Sequence, residues 1–395
     1  MIKYYDNKES HGKIIDWGEV RKFYRKLKCP KEFYNPCELP LENAKFFDLL
    51  SERSIGKTTN LLLFGMCANA LYGTIIQYIR QSEDMTAPSN ADELFDTILT
   101  YNNGEYVEKI TGGQYNSILI RWRRAFYCRR DEAGKVTEQA EDPFLVQLSI
   151  DRNLSYKSSY NAPNGDYIIY DEFIGKPATD TEYVAFMDLL KTIIRQRKTP
   201  VVILAANTVN VNHIYFREQE ISAQVRKMHT GESNIFTTER GTKIYVEIVG
   251  AKQTQNKRDI NRMFFGFKNP RLAAITGADN IWALDCVPHI VTSDTDAIIN
   301  KQLRIDTGDI MLQAEIVETE DRGIIANVHP STRTYSDTII LTNGEIWARN
   351  RLYGLGRGEL CELFWRLYRM NRVYFDTNET GSLLAEYVRN VKRKI

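Results

Sequence analysis

Apolar and polar positions alternate differently in the two parts of the chain: buried-type strands between helices come first, then short strands at hairpin spacing. A charged helix is predicted from Val20 to Lys28, followed by a Pro-marked segment from Cys29-Pro30 through Pro40. Phe46, Phe47, Leu49 and Leu50 form a short apolar run, and Leu61, Leu62, Phe64, Met66 and Ala70 then recur with helical spacing to about Tyr72. Further strands are predicted over Thr74–Ile79, ending at Arg80, over Ile118–Tyr127 and over Phe144–Leu148, with a short amphipathic helix at Asp92–Thr100. The polar stretch Arg129–Asp142, with a turn at Glu132-Ala133-Gly134-Lys135, makes the middle pair a hairpin inserted into an α/β domain. Tyr167–Tyr170 and Val201–Ala206 are continuous apolar strands separated by a helix from Thr181 to about Gln196, and Lys243–Ile248 is another strand. Continuous apolar strands alternating with helices predict a sheet covered on both faces.

The rhythm changes in the last hundred or so residues. Ile310–Val317, Gly323–Val328 and Thr338–Leu341 are three strands at hairpin spacing. A helix (Glu359 to about Asn371), a strand (Arg372–Phe375) and a closing helix (Leu383–Lys392) follow. The order β-β-β-α-β-α predicts a second, smaller α/β domain. The expected division is therefore 1–252, a connector of mixed composition over 253–295, and 296–395.

Length and composition agree with that division. At 395 residues the chain exceeds one average domain, and 43% apolar with 26% charged residues is the make-up of an ordinary globular protein. No run approaches the roughly 20 apolar residues of a membrane span, so no membrane partner is expected. Met1-Ile2-Lys3-Tyr4-Tyr5-Asp6 leads into charged sequence, unlike a signal peptide. The six cysteines are scattered, without a C-x-x-C pair, which argues against a disulfide framework or zinc site and for a reducing cytoplasm. A net charge of +1 excludes a globally basic nucleic-acid binder but leaves room for a local basic surface.

Candidate chemistry centres on Ser51-Glu52-Arg53-Ser54-Ile55-Gly56-Lys57-Thr58-Thr59. Strand, tight loop and helix is the context that makes G-x-x-x-x-G-K-[ST] a phosphate-binding loop, with Ser51 here in place of the first glycine. In such a loop backbone N–H groups cradle phosphates, the lysine neutralises them and the following hydroxyl ligates Mg²⁺. Tyr167-Ile168-Ile169-Tyr170-Asp171-Glu172 is an apolar strand ending in two acids, the pattern nucleotide hydrolysis needs: Asp171 for the metal and Glu172 to polarise the attacking water. Glu172 as base places the chain among catalytic-glutamate (ASCE-type) P-loop ATPases, and Asn207-Thr208 ends the next strand where a γ-phosphate sensor belongs. Arg195 and Arg197 are cations with reach to the phosphates of a neighbouring subunit. Arg121-Trp122-Arg123-Arg124 with Arg129-Arg130 is the densest basic cluster; on one strand, Arg121 and Arg123 would share a face suited to a phosphate backbone. A charged, solvated edge strand is the plainer reading of the same residues. The tail Arg389, Lys392, Arg393 and Lys394 is a second basic group.

Taken together, the arginine within the phosphate loop, Arg80 at the end of a strand, Tyr170-Asp171-Glu172-Phe173 and the strand ending in Asn207-Thr208 resemble the genome-packaging ATPases of small podophages, relatives of the terminase large subunits. The resemblance covers roughly residues 40–250 by motif order and the rest only by size and element order. It implies a P-loop ATPase domain followed by an RNase H-like domain, with ATP and Mg²⁺ as cofactors. It further implies a homo-oligomeric, typically pentameric ring that drives double-stranded DNA into a prohead. The ring would act in the host cytoplasm, docked at the portal vertex beside a structural prohead RNA. Lys57 and Thr58 would meet phosphate and Mg²⁺, Asp171 the metal, Glu172 would be the base, and Arg195 or Arg197 the trans-acting finger.

An active RNase H-like nuclease needs an Asp in its first strand and further acids nearby. The first-strand candidate offers only Gln313 and Glu315, and Asp376 alone sits at a later strand end. A degenerate nuclease that binds nucleic acid or the prohead is therefore expected. Other readings stay open at this point: another catalytic-glutamate motor such as a helicase or DNA pump, a terminase with a working nuclease, or a nucleotide-gated assembly protein.

Overall fold

A computed structural model of the chain describes residues 14–31, 33–51, 55–82, 88–100, 104–152, 160, 162, 164–174, 180–207, 213–250, 298–308, 310–320, 322–331, 338–344 and 350–392. Described residues up to 250 belong to one compact unit and those from 298 onward to a second. The connector expected at 253–295 lies outside the described residues.

Six parallel strands make the centre of the first unit: β1 (Phe46–Ser51), β2 (Ile76–Arg80), β6 (Leu145–Ser149), β7 (Tyr167–Asp171), β8 (Val201–Ala206) and β10 (Lys243–Val249). They are ordered β6-β2-β7-β8-β1-β10. Thus β8, the strand that ends beside Asn207, is itself the one inserted between the phosphate-loop strand and the acidic strand. These strands are mostly apolar, with few polar positions such as Asp48, Gln77 and Gln147, because helices cover both faces. On one face lies α2 (Lys57–Tyr72), whose residues Leu61 to Cys67 are all buried. It is enclosed by α1 (Trp17–Lys26), with Trp17 and Tyr24 ring centroids 6.1 and 5.7 Å from Phe64. Asp16 starts α1 by accepting from the N–H groups of Gly18 and Glu19. Gly65 lets α2 sit close to the sheet; a Cβ there would lie 2.7 Å from Ile76 and 2.8 Å from Tyr167. Helices α3 (Pro88–Thr100) and α4 (Glu105–Thr111) follow β2; α3 begins earlier than the apolar spacing predicts, at a proline suited to a first helical turn. On the opposite face, α5 (Asp180–Ile194), α6 (Ile214–Glu218) and α7 (Ser222–Val225) bring Phe186, Tyr215 and Phe216 against Tyr170 and Phe173.

Antiparallel strands finish both edges: β9 (Ser233–Thr237) beside β10, and β3 (Ser117–Arg121) and β4 (Arg124–Arg130) beside β6, with β5 (Val136–Gln139) on β4. The single strand expected over Ile118–Tyr127 is corrected to two. The chain reverses at Trp122 (φ 49°) and Arg123 (φ 66°), and Arg121 faces Arg124 across the hairpin. Arg121 and Arg123 therefore do not share a strand face. The turn is invisible in the sequence because two-residue reversals with positive φ usually carry Asn-Gly or Asp-Gly, not Trp-Arg.

The second unit is a six-stranded sheet of β11 (Ile298–Asp306), β12 (Met311–Thr319), β13 (Gly323–Pro330), β14 (Ile339–Thr342), β15 (Arg351–Tyr353) and β16 (Val373–Phe375), ordered β15-β14-β11-β12-β13-β16. The three strands β11, β12 and β13 are antiparallel neighbours, whereas β14 pairs parallel with β11 and β15 with β14. Leu303, Ile305, Leu312, Ala314 and Val328 face a core completed by Phe364 and Leu367 of α8 (Glu359–Arg369) and Leu384 and Tyr387 of α9 (Asn378–Lys392). The expected β-β-β-α-β-α order is corrected by β11 and β15. Gln313 and Glu315 consequently lie on the second strand, not the first. Polar residues alternate along Lys301-Gln302-Leu303-Arg304-Ile305-Asp306, which hides the central strand among connector-like sequence.

One buried pair in the first unit has a consequence for stability. Asp48 on β1 is fully buried and accepts a 3.4 Å hydrogen bond from Gln219 Nε2, while Asp48 Oδ2 and Gln219 Oε1 have no partner. Burial pushes the Asp48 carboxyl up to about 7, and the Gln219 hydrogen bond offsets only part of this. A protonated Oδ2–H donating to Oε1 satisfies both orphaned atoms at once. Between the ordinary aspartate value of about 3.9 and about 7, the folded chain keeps a proton that the unfolded chain has released. Stability therefore falls as pH rises through that window. Asp48→Asn can make the same two-bond pair without titrating. It is expected to be more stable than the wild type at pH of about 8, by on the order of 1–4 kcal/mol, and nearly equal to it near pH 4. Thermal unfolding of both proteins across this range checks the difference.

Candidate functional site

The site forms where β1, β8 and β7 end side by side. Strand β1 ends at Ser51, and α2 begins at Lys57 behind Gly56, whose φ is +70°. Glycine is required there on two counts: the left-handed conformation, and the Phe33 ring, which lies 2.9 Å from where a Cβ would stand. Lys57 Nζ donates to Ser51 Oγ, and to Asn207 Oδ1 at 3.2 Å. Ser51, the residue that departs from the glycine pattern, is thus a direct contact of the lysine. Ile55 is buried, with its carbonyl accepting from Tyr34 N at 2.8 Å, and Thr59 is half-buried in the first turn of α2. Glu52, Arg53, Ser54 and Thr208 lie outside the described residues.

The acidic pair is held by a different set of neighbours. Asp171 Oδ2 accepts from Thr58 Oγ1 at 2.9 Å, from Tyr78 OH at 2.7 Å and from Arg80 Nη1 at 3.2 Å. Glu172 leaves the strand with φ +55°, and its N–H donates to Asp171 Oδ1 at 3.1 Å. That backbone turn separates the two carboxylates: Asp171 is 7% exposed and Glu172 38% exposed. Arg80 bridges them, with Nη2 2.7 Å from Glu172 Oε2. Tyr170 and Phe173, packed among Phe186, Tyr215 and Phe216, anchor both sides of this turn.

Charge in the site is nearly balanced within the chain. Burial pushes the Lys57 ammonium down to about 8, against the attraction of Asp171 and Glu172. Burial also works against the Arg80 charge, but Tyr78, Asp171 and Glu172 together hold Arg80 above its ordinary value. Tyr78 is raised by burial and by the Asp171 charge, so it stays a hydroxyl donor. Chemically, this is a lysine with neutral contacts and an acid beside a hydroxyl, next to a second, more exposed acid that an arginine restrains. Such a set can take a phosphate chain, a hard cation and a water.

Beside Ile55 and Gly56 lies a cavity of about 640 Å³ lined by Tyr24, Arg25, Cys29, Lys31, Phe33 and Tyr34, among others. Phe33 belongs both to this cavity and to the wall behind Gly56. The sequence reading missed it, as it missed the roles of Tyr78 and Arg80. The signal for the latter two was the i, i+2 spacing of polar groups at the end of a strand that would border the acidic one.

Arg195 and Arg197 are not brought to these residues within the chain. Arg197 is tied to the start of β7, where Nη1 pairs with Asp166 at 3.0 Å and Nη2 donates to the Ile193 and Gly165 carbonyls. Asp171 and Glu172 lie at the other end of that strand. Arg195 is exposed, takes φ +52° after α5, and donates to the Tyr160 carbonyl at 3.2 Å. In the second unit, Gln313 donates to Gln302 and Glu315, His329 lies 3.5 Å from Glu315, and Asp376 is exposed beyond the edge strand β16. Among the described residues no group of three or more His, Cys, Asp or Glu side chains is placed to hold a metal ion. No described helix is long and apolar enough to cross a membrane.

No protein-family model matches the chain, and no curated protein matches it in sequence. Solved structures do. The chain is similar to the Phi-28 gp11 DNA packaging motor, at 15% identity and a TM-score of 0.54, over 92% of this chain and 99% of that one. It is likewise similar to the bacteriophage Phi-29 viral genome packaging motor assembly, at 16% identity and a TM-score of 0.52, over 91% and 100%. At this level of identity the likeness is one of fold, and it extends over nearly the whole of each chain.

Two measurements probe the geometry. Because Lys57 titrates near 8 before an anion arrives, affinity for ADP is expected to be level just below that pH. Above it, affinity should weaken by up to about tenfold per unit; calorimetric titration across the range reads this directly. Arg80→Ala leaves the buried Asp171 without its cation and is expected to destabilise the first unit by about 3 kcal/mol. Denaturant unfolding should show that loss.

Proposed function

We propose that this chain is an ATP-hydrolysing motor that drives double-stranded viral DNA into a prohead. The observation that carries the proposal is the convergence of Lys57 with Asn207 (3.2 Å) and of Thr58 with Asp171 (2.9 Å) at the ends of three neighbouring strands. A fold shared with packaging motors supports the direction of the work.

In this reading the loop Ser51–Thr59 holds the triphosphate, with Glu52, Arg53, Ser54 and Ile55 contributing backbone donors and Lys57 the charge. Thr58 and Asp171 suit Mg²⁺, since a hydroxyl and a carboxylate oxygen already adjoin and hard oxygen donors are what that ion takes. Mg²⁺ would supply charge neutralisation on the phosphates. Glu172 orients and deprotonates the attacking water once it is freed from Arg80, and Asn207 hydrogen-bonds the terminal phosphate or that water. The aromatic cavity beside Phe33 is the seat for the base. Charge on the transferring phosphoryl group is met in trans. Arg195 suits that task better than Arg197, whose guanidinium is occupied by Asp166 and two carbonyls.

A trans finger requires a ring of copies, and the proposed assembly is a pentamer at the portal vertex in the host cytoplasm, beside a structural RNA. We take residues 1–252 as the ATPase domain, 253–295 as linker and 296–395 as an RNase H-like domain without nuclease activity. The order β15-β14-β11-β12-β13, with its three antiparallel neighbours and two parallel additions, supports that last assignment. The first strand, β11, does end in an Asp, but Asp306 is that strand's single acid and lies 3.5 Å from the Arg351 guanidinium, which supports a lost nuclease.

Lys57→Ala is expected to lose nucleotide binding, and Glu172→Gln to bind ATP normally while hydrolysis drops by a factor of about 100 or more. Steady-state turnover with and without linear duplex DNA tests the motor reading: DNA should raise the rate. Turnover indifferent to duplex DNA even at low salt would refute it. Cleavage of plasmid DNA with Mg²⁺ or Mn²⁺ would refute the absence of nuclease activity in the second domain.

A further inference from the structure

The turn at Trp122-Arg123 has the backbone signs a two-residue hairpin favours but is built from residues that disfavour them. Both residues hold positive φ, 49° and 66°, where side-chain-bearing residues are disfavoured and an aromatic especially so. Arg121 and Arg124 stand directly opposite each other across the ladder, a like-charge pairing that opposes the hairpin. Trp122 is 95% exposed, so its ring contributes nothing to the core. The neighbouring arginines show that this is not a general property of the hairpin. Arg129 donates to the Gly113 and Gln114 carbonyls, and Arg130 to Ser117 Oγ and the Gly134 carbonyl. Those two guanidiniums brace the scaffold; Arg121 and Arg124 are exposed at its tip.

We propose that the Arg121–Arg124 tip is a binding surface for an unpaired stretch of nucleic acid, with Trp122 stacking on a base and Arg121 and Arg124 on the flanking phosphates. Closely spaced cations call for a polyanion, and a fully exposed indole calls for a free aromatic face. A single strand offers both at that spacing, whereas a duplex keeps its base faces stacked away. Strain at a solvent-exposed turn is retained where a ligand uses the conformation. The surface does not rest on the motor reading: it would bind an unpaired strand whether or not the chain hydrolyses ATP.

The test compares full-length wild type with Trp122→Ala, Trp122→Phe, Trp122→Gly and the Arg121→Ala/Arg124→Ala pair. Fluorescence anisotropy is read with oligothymidylate of about 20 nucleotides and with a duplex of matched length. Trp122→Ala is expected to weaken the single strand about tenfold and Trp122→Phe less than about threefold, with duplex binding changed less than about twofold. The arginine pair should lower the salt dependence of single-strand binding by about 1.4 in log–log slope. Trp122→Gly, which suits the positive φ, should raise Tm while losing the same affinity as the alanine variant. The proposal is overturned if Trp122→Ala binds oligothymidylate like the wild type, or if wild type binds none. It is equally overturned if the loss on duplex matches the loss on single strand, or if Trp122→Gly lowers Tm. The last result would make the indole part of the fold.

Discussion

One carboxylate oxygen, Asp171 Oδ2, ties together the elements on which the site depends. It receives hydrogen bonds from α2 through Thr58 and from β2 through Tyr78 and Arg80, while its own backbone belongs to β7. A buried charge is tolerated only when its lone pairs are filled, so the register of β2 against β7 and the start of α2 are coupled to this atom. Moving any one of them by a residue would leave a buried anion short of donors. The strand order serves the same atom, because β7 has β2 on one side and β8, leading to Asn207, on the other.

Positive φ at residues with side chains occurs just past helix ends, as at Lys28, Glu220 and Asn371, and also at positions that carry charge or an exposed ring. Glu172 uses it to turn away from Asp171, and Arg195 uses it to leave α5. Trp122 and Arg123 use it to close a two-residue hairpin. Glycine would be more comfortable at each position, but would lose the carboxylate, the guanidinium or the indole. In each case a side chain is retained at a backbone cost of order 1 kcal/mol.

Much of the first unit was legible because its signals are strong ones. Continuous apolar strands announced a covered sheet, and Lys57, Thr58, Asp171 and Glu172, singled out by their spacing, come together at the strand ends. What escaped was information carried between strands. Arg80 and Tyr78 acquire meaning only once β2 is known to border β7, and Phe33 only once its segment folds back onto Gly56. The Trp122 reversal was hidden because its residues contradict turn statistics, and β11 because its polar alternation resembles connector. The arginines near α5 were visible as charges, but nothing in the sequence distinguished Arg197, braced against Asp166, from the exposed Arg195.

Ser51 stands where a glycine is usual, and its hydroxyl shares Lys57 with the amide oxygen of Asn207. Both contacts are neutral dipoles, so the ammonium is oriented without being neutralised by direct contact. The lysine therefore behaves as a preset electrode: it need not break an ion pair or search rotamers when a phosphate enters. A serine in a glycine's place thus gives the ammonium a neutral strand-side partner that glycine could not supply.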